Sequence, residues 1–277
     1  MKEKIGAALA AVREKDPLTH VITHQIAAND TANCILALGA RPIMAEHPDE
    51  MEEIVTAAKA LGVSLGNINE NRLRAIHNAG EVACAGRKPH IIDCVGVAVS
   101  RLRMDFAQSY IADYQPAVVK GNASELLALV GCDSHAIGVD AGGEAALYRS
   151  LAEGNTASGE VGVLQGFARM NGTVLVITGE TDIVLDGKNV ALVSNGVPLL
   201  GKITGSGCML TGIIASFLAA GIEPMTSAVA GLTVFGAAGE NAAEQAGSNH
   251  PGTFRSLLFD ALAEITPVNI RAKVKML

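Results

Sequence analysis

The chain has 277 residues, of which 49% are apolar, only 3% aromatic and none Trp, and its formal net charge is −7. That length supports one large α/β domain with a sizeable core, which Ala, Val, Ile, Leu and Met must fill. The acidic balance, without a basic run, excludes electrostatic nucleic-acid binding, and the longest apolar stretch, near 213–220, is too short and too closely bounded by Gly to span a bilayer.

Residues 1–17 mix both charge signs and read as an amphipathic helix rather than a signal peptide. Short apolar runs then alternate with longer Ala- and Leu-rich segments. "HVIT" (20–23), "VSLGNI" (63–68), "PHIIDCVGV" (89–97), "PAVVKGN" (116–122) and "TVLVITG" (173–179) read as buried strands. Helices are predicted over 28–38, 48–61, 70–86, 103–113 and 123–130. Pro48, Asp49 and Glu50 make a sound first turn for the second of these, and Gly62 is its expected stop. "GETDIVLDGKNVALVSNG" (179–196) places "DG" between two alternating runs, a hairpin signature. The last third reads as helix, over about 206–220, 224–246 and 252–264. No Pro/Ser-rich linker divides the chain, so residues 1–277 are expected to form a single domain. Repeated strand–helix–strand units predict a mainly parallel central sheet covered on both faces. The five cysteines (34, 84, 94, 132 and 208) are odd in number and lack a CxxC. That argues against a disulfide framework or a zinc site and suits a reducing cytoplasm.

Ligands of open parallel sheets sit beyond the carboxyl ends of the strands. Asp93, "KGN" (120–122), "TGE" (178–180) and the loop 204–208 are expected there. "TGSGCMLTG" (204–212) places a thiol on the first turn of a helix, after two glycines. A helix start presents unpaired N–H groups and a partial positive charge, so Gly205, Gly207 and Cys208 could form an anion hole. The same field would lower the Cys208 pKa. The plainer reading is that Thr204 or Ser206 caps the helix while Cys208 packs as a small hydrophobe. A Rossmann fingerprint fails, because Leu210 stands where its third glycine belongs, and a Walker A loop fails for want of Lys-Ser/Thr. "NASE" (122–125) is open to two readings. Asn122 and Glu125 can form a capping box, or Glu125 can join Asp93 in holding Mg²⁺ through water.

"ANDTANCILALGARPIMA" (28–45), "VVKGNASEL" (118–126), "VLVITGETDIVLDG" (174–187) and "GKITGSGCMLTGIIASFLA" (201–219) together resemble the hydroxyethylthiazole kinases, members of the ribokinase-like superfamily. The likeness runs from about residue 18 to 265. It implies a ribokinase-like three-layer α/β/α fold with a helical C-terminal third. It also implies phosphorylation of 4-methyl-5-(2-hydroxyethyl)thiazole by Mg-ATP, in thiamine biosynthesis and salvage, by a cytoplasmic homotrimer with active sites at subunit interfaces. Carried over by motif, Met44 and Gly205 would contact the thiazole, and Lys120 and Thr178 would contact ATP. Asp93 and Glu125 would hold Mg²⁺ through water. Cys208 takes the place where most of the superfamily carries an aspartate base, with Gly205 and Gly207 completing the anion hole.

The chain departs from that family's pattern at His24, at Asn67 and Asn69, at Cys94 and over 98–104. His24 either faces substrate or is a structural, hydrogen-bonded residue. Arg101 and Arg103 either reach a phosphate or are solvated. Rival functions are a related small-alcohol kinase, for instance of a hydroxymethylpyrimidine, a non-catalytic ligand-binding homologue, and a Cys-dependent acyl-transfer enzyme. The last needs a His beside Cys208, and His24 and His47 are the candidates.

Overall fold

A computed structural model describes residues 1–132, 147–148, 151 and 159–276. Helix α1 (Lys2–Lys15) leads into β1 (Leu18–Ile22), α2 (Gln25–Leu38) and β2 (Arg41–Ile43). Then come α3 (Met51–Ala57), β3 (Ala60–Ser64), α4 (Glu70–Ala85), β4 (His90–Asp93), α5 (Arg101–Tyr114), β5 (Val118–Asn122) and α6 (Ala123–Leu129). Helix α7 (Gly159–Asn171) precedes β6 (Val174–Thr178) and the hairpin of β7 (Asp182–Leu185) and β8 (Val190–Val193). The remainder is helical: α8 (Ser206–Ala219), α9 (Pro224–Ala246), α10 (Pro251–Glu264) and α11 (Ile270–Lys273).

Among the described residues one eight-stranded sheet runs in the order β2-β1-β3-β4-β5-β6-β7-β8. β2 to β6 are parallel, and β7 and β8 join antiparallel. Side chains alternate between two faces, as strand geometry requires. Val21, Ile91, Val118 and Val176 enter one core with Met209, Phe217 and Phe254. Ile22, Ile92, Val119 and Ile177 enter the other with Ile76 and Tyr110. The result is the expected three-layer α/β/α arrangement with a mainly parallel sheet. The hairpin also stands: Asp186 Oδ1 accepts from the backbone N–H groups of Lys188 and Asn189, both at 2.7 Å, and so closes the turn.

Two departures bear on the site. The segment 48–61 is not one helix. A 3-10 turn (Pro48–Glu50) starts it, α3 ends at Ala57, and residues 60–64 form β3, buried at every position. Gly62 is therefore not a helix stop. It lies within the sheet, where an added Cβ would touch Val21 and Ala215 at 3.5 Å. Sheet burial overrode a continuing helical pattern there. Edge strand β2 and helix α7 are further elements that sequence periodicity did not announce.

Helix α8 is the pivot. Every residue from 208 to 218 is buried, which suits a helix apolar all round in the middle of a layer. It packs against β1, β3 and β4, so its first turn meets their carboxyl ends.

Candidate active site

Gly205 is the N-cap of α8, with φ +83°. An added Cβ would lie 2.9 Å from Ala27 Cβ, so α2 closes tightly against this turn. Glycine alone takes this left-handed conformation without strain. No side chain caps the helix, which rules out Thr204 or Ser206 as the cap. The first-turn N–H groups are thus left for an anion. Ser206 and Gly207 line one end of a cavity of about 840 Å³, which extends past Thr178 and Asn195 to Leu232 and Phe235 on α9. Glu240 shapes its far wall by accepting from Gly196 N–H at 2.9 Å while pairing with Lys275 at 2.8 Å.

Beneath Gly207 lies a buried charge cluster. Lys120 Nζ is 2.8 Å from Asp93 Oδ1, and Thr211 Oγ1 donates to Asp93 Oδ2 at 3.1 Å. An added Cβ on Gly207 would stand 3.6 Å from Lys120 Nζ, so the ammonium sits directly under the helix start. Burial works against the Lys120 charge, but Asp93, Cys208 and Glu125 outweigh it, and the pKa is raised. Asp93 thus finds the partner its burial demands.

Of the two readings of Glu125, the capping box is met in full. The capping box forms, with Asn122 Oδ1 accepting from Glu125 N–H and Glu125 Oε2 from Asn122 N–H, each at 2.8 Å. Glu125 Oε1 also accepts from Gly96 N–H at 2.7 Å, which pins the turn after β4. Among the described residues no group of three or more His, Cys, Asp or Glu side chains is placed to hold a metal directly. A carboxylate offers about four lone-pair sites. Asp93 and Glu125 therefore retain acceptor capacity toward metal-bound water, the mode Mg²⁺ favours.

Cys208 is buried at the same edge. Its Sγ lies 3.5 Å from Ser64 Oγ and 3.5 Å from His24 Nε2. The lowered thiol pKa expected from the helix start is corrected here: burial, then the charge of Asp93, pushes the thiol up, against the opposing pull of hydrogen bonds and Lys120. His24 caps the start of α2 by position and is half-buried. Burial, then Arg72, pushes its pKa down, while Asp93 opposes. Thr178 lines the cavity and donates to Gly121 O at 3.4 Å. Met44, just past β2, is half-buried and packs on the core that α8 completes. Arg103 does not reach toward the cavity; it donates to Val95 O at 3.1 Å and braces the turn after β4. Arg101 is solvated beside Asp105.

The structure therefore gathers Asp93, Lys120, Gly207 and Cys208 around the first turn of α8. Thr178 stands on the cavity wall, and Met44 lies away from that cavity's lining. Sequence reasoning missed Ser64 and Thr211. Thr211 was readable: it follows Gly207 by four, which places it over the same helical face.

A parallel sheet with an antiparallel hairpin at one side, and an anion-ready helix start over its strand ends, has a known counterpart. A ribokinase-like superfamily protein from Enterococcus faecalis V583 superposes with a TM-score of 0.62 at 14% identity, over 96% of this chain and 95% of that one. The fold is ribokinase-like. A model of the hydroxyethylthiazole kinase family matches residues 9–268. Hydroxyethylthiazole kinase 2 of Clostridium botulinum (strain 657 / Type Ba4) is 39% identical over 266 residues, 96% of this chain and 97% of that protein. The structure of a hydroxyethylthiazole kinase from Pyrococcus horikoshii OT3 superposes with a TM-score of 0.84 at 33% identity, over 99% of this chain and 98% of its own. The chain belongs to the hydroxyethylthiazole kinase family.

Proposed function

We infer that this chain, acting as a single domain, transfers the terminal phosphoryl group of ATP to the hydroxyl of 4-methyl-5-(2-hydroxyethyl)thiazole, in thiamine biosynthesis or salvage. The observation that carries the chemistry is the uncapped start of α8, which opens at Ser206 and Gly207 onto the large cavity with Lys120 beneath it. ATP enters that cavity with its base toward Leu232 and Phe235 and its phosphates toward Gly207. Thr178 and Lys120 are the nucleotide contacts. The thiazole lies against Met44 and Gly205, which brings its hydroxyl to Cys208.

Phosphoryl transfer proceeds through a loose transition state, with charge on the transferring oxygens. Positioning and charge stabilisation therefore dominate. The N–H groups of residues 206–208 face the oxygens that gain charge, and losing one such donor costs roughly 3 kcal/mol in other enzymes. Lys120 adds a buried positive charge below them. Asp93 and Glu125 hold Mg²⁺ through water. When bound, Mg²⁺ neutralises phosphate charge. Cys208 orients the substrate hydroxyl and takes its proton late. The raised thiol pKa counts against the acyl-transfer alternative, which needs a ready thiolate.

The active assembly is a homotrimer with interface sites. Exposed Ile26 and Leu36 on α2 support burial of this helix against another copy. None of the described helices is long and apolar enough to cross a membrane, and buried free thiols at Cys34, Cys94 and Cys208 suit a reducing cytoplasm. A coupled assay with Mg-ATP and hydroxyethylthiazole, read as ADP, tests the function. ADP formed only with another alcohol, or binding without ADP, overturns it. Light scattering that gives the mass of one 28.5 kDa chain would overturn the trimer.

A further inference from the structure

The phosphoryl-transfer reading leaves one problem. A buried thiol held above its ordinary pKa keeps its own proton, so Sγ can take the proton of the substrate hydroxyl only as it gives up the one it holds. The hydrogen bonds around Cys208 point to where that proton goes. Gly66 N–H donates to Ser64 Oγ at 3.3 Å, which leaves the Ser64 hydroxyl hydrogen free to point to Cys208 Sγ, 3.5 Å away. With Sγ accepting from Ser64 and from the hydroxyl of Thr23, the thiol hydrogen is directed to its remaining neighbour, His24 Nε2, also at 3.5 Å. Nε2 is then the acceptor nitrogen and Nδ1 carries the imidazole hydrogen.

The ring is held for this contact. It follows β1 at the start of α2, and an added Cβ on Gly66 would come within 2.6 Å of His24 Cδ2, so the turn after β3 lies flush on it. Arg72, whose side chain is buried and tied to Glu46 and Asn67 O, and Asp93 are the charged groups whose fields reach the ring, beside the thiol itself. Arg72 favours the neutral imidazole, and Asp93 favours the charged form produced by proton uptake.

We propose that His24 is a positioning residue that acts through Cys208, orienting the thiol and receiving the proton that leaves the substrate hydroxyl. This rests on the phosphoryl-transfer reading given above. In the step, the hydroxyl oxygen forms the new O–P bond, and the bond from the γ-phosphorus to the bridging oxygen breaks, its electron pair leaving with ADP. The hydroxyl proton passes to Sγ as the S–H proton passes to Nε2. The products are the phosphate ester, ADP, a neutral thiol and an imidazolium, which afterwards returns its proton to solvent.

The test is a set of pH–rate profiles for ADP formation from Mg-ATP and hydroxyethylthiazole, using wild type, His24→Asn, His24→Gln, Cys208→Asp and Cys208→Asp with His24→Asn. Wild-type kcat should fall on acidification, as a neutral base with a lowered pKa takes up a proton below the ordinary imidazole range. In His24→Asn, kcat should drop about 10- to 100-fold, the low end of general-base effects, with KM within about threefold and the acid limb lost. In the Cys208→Asp background, where a carboxylate can take the proton itself, the same change should cost only about threefold. Thermal unfolding of each variant identifies any that fails to fold, and His24→Gln then provides the comparison. An unchanged kcat and acid limb in His24→Asn, or an equal loss in both backgrounds, overturns the relay while leaving the kinase reading intact. Absence of ADP from wild type overturns both.

Discussion

Lys120 Nζ stands 2.8 Å from Asp93 Oδ1, and the two side chains are 3% and 1% exposed. They are direct neighbours in the register of β5 and β4. Removing one partner of a buried pair strands the other charge, at a cost of about 3–5 kcal/mol. Lys120→Met should therefore lower Tm by roughly 6–20 °C, taking about 2–4 °C per kcal/mol for a chain near this size. Adding Asp93→Asn should recover most of the loss, since no lone charge remains. Thermal unfolding followed by circular dichroism checks both, and a Tm equal to wild type in the single variant would show that the pair does not matter.

Gly205 holds a backbone conformation that a side chain resists, in contact with Ala27. Gly205→Ala should cost about 1–3 kcal/mol, from the left-handed φ and the forced contact. It should also slow turnover by about 10²-fold, because a shift of about 1 Å in the first turn of α8 misplaces the N–H donors. Gly166 is the contrast. It lies inside α7 with nothing within 4 Å of an added Cβ, so Gly166→Ala should stabilise by about 0.5–1 kcal/mol. Denaturant unfolding with steady-state kinetics separates the two sites.

Much of this was legible in the chain itself. Strand-end positions of Asp93, Lys120 and Thr178 followed from apolar runs that end in polar residues, and the anion-ready turn followed from glycines before an apolar helix. Local pattern failed where distant packing decides. Gly62 reads as a helix stop until α8 covers it. The Cys208 pKa reads as lowered until burial beside Asp93 is known. Ser64, His24 and Cys208 are separated by long stretches of chain, so only the sheet order, with β1 beside β3, brings them together.

Cys208 should matter without being indispensable. The charge stabilisation assigned to the backbone survives its loss, so Cys208→Ala should keep measurable turnover, about 10- to 100-fold below wild type. Cys208→Asp supplies in the same place a base that is already ionised at neutral pH and should stay active. Kinetics with intact-mass spectrometry check this. Complete loss in the Ala variant, together with a substrate adduct on the wild-type thiol, would indicate covalent catalysis instead.

Glu125 has one duty that the structure shows and a second that is proposed, and substitution can separate them. Its side chain completes the cap of α6 and pins Gly96, and its charge is assigned to water-held Mg²⁺. Glu125→Gln keeps an acceptor oxygen but loses the charge. The Mg²⁺ concentration for half-maximal activity at fixed ATP should rise about 10-fold, the low end for residues that act on a metal through an intermediate group. Asn122→Ala breaks the other half of the cap and should cost about 1 kcal/mol while leaving the Mg²⁺ titration in place. If both variants move the titration equally, Glu125 acts by ordering the start of α6 and the metal role is wrong. If Glu125→Gln alone moves it, the carboxylate charge is what the metal requires.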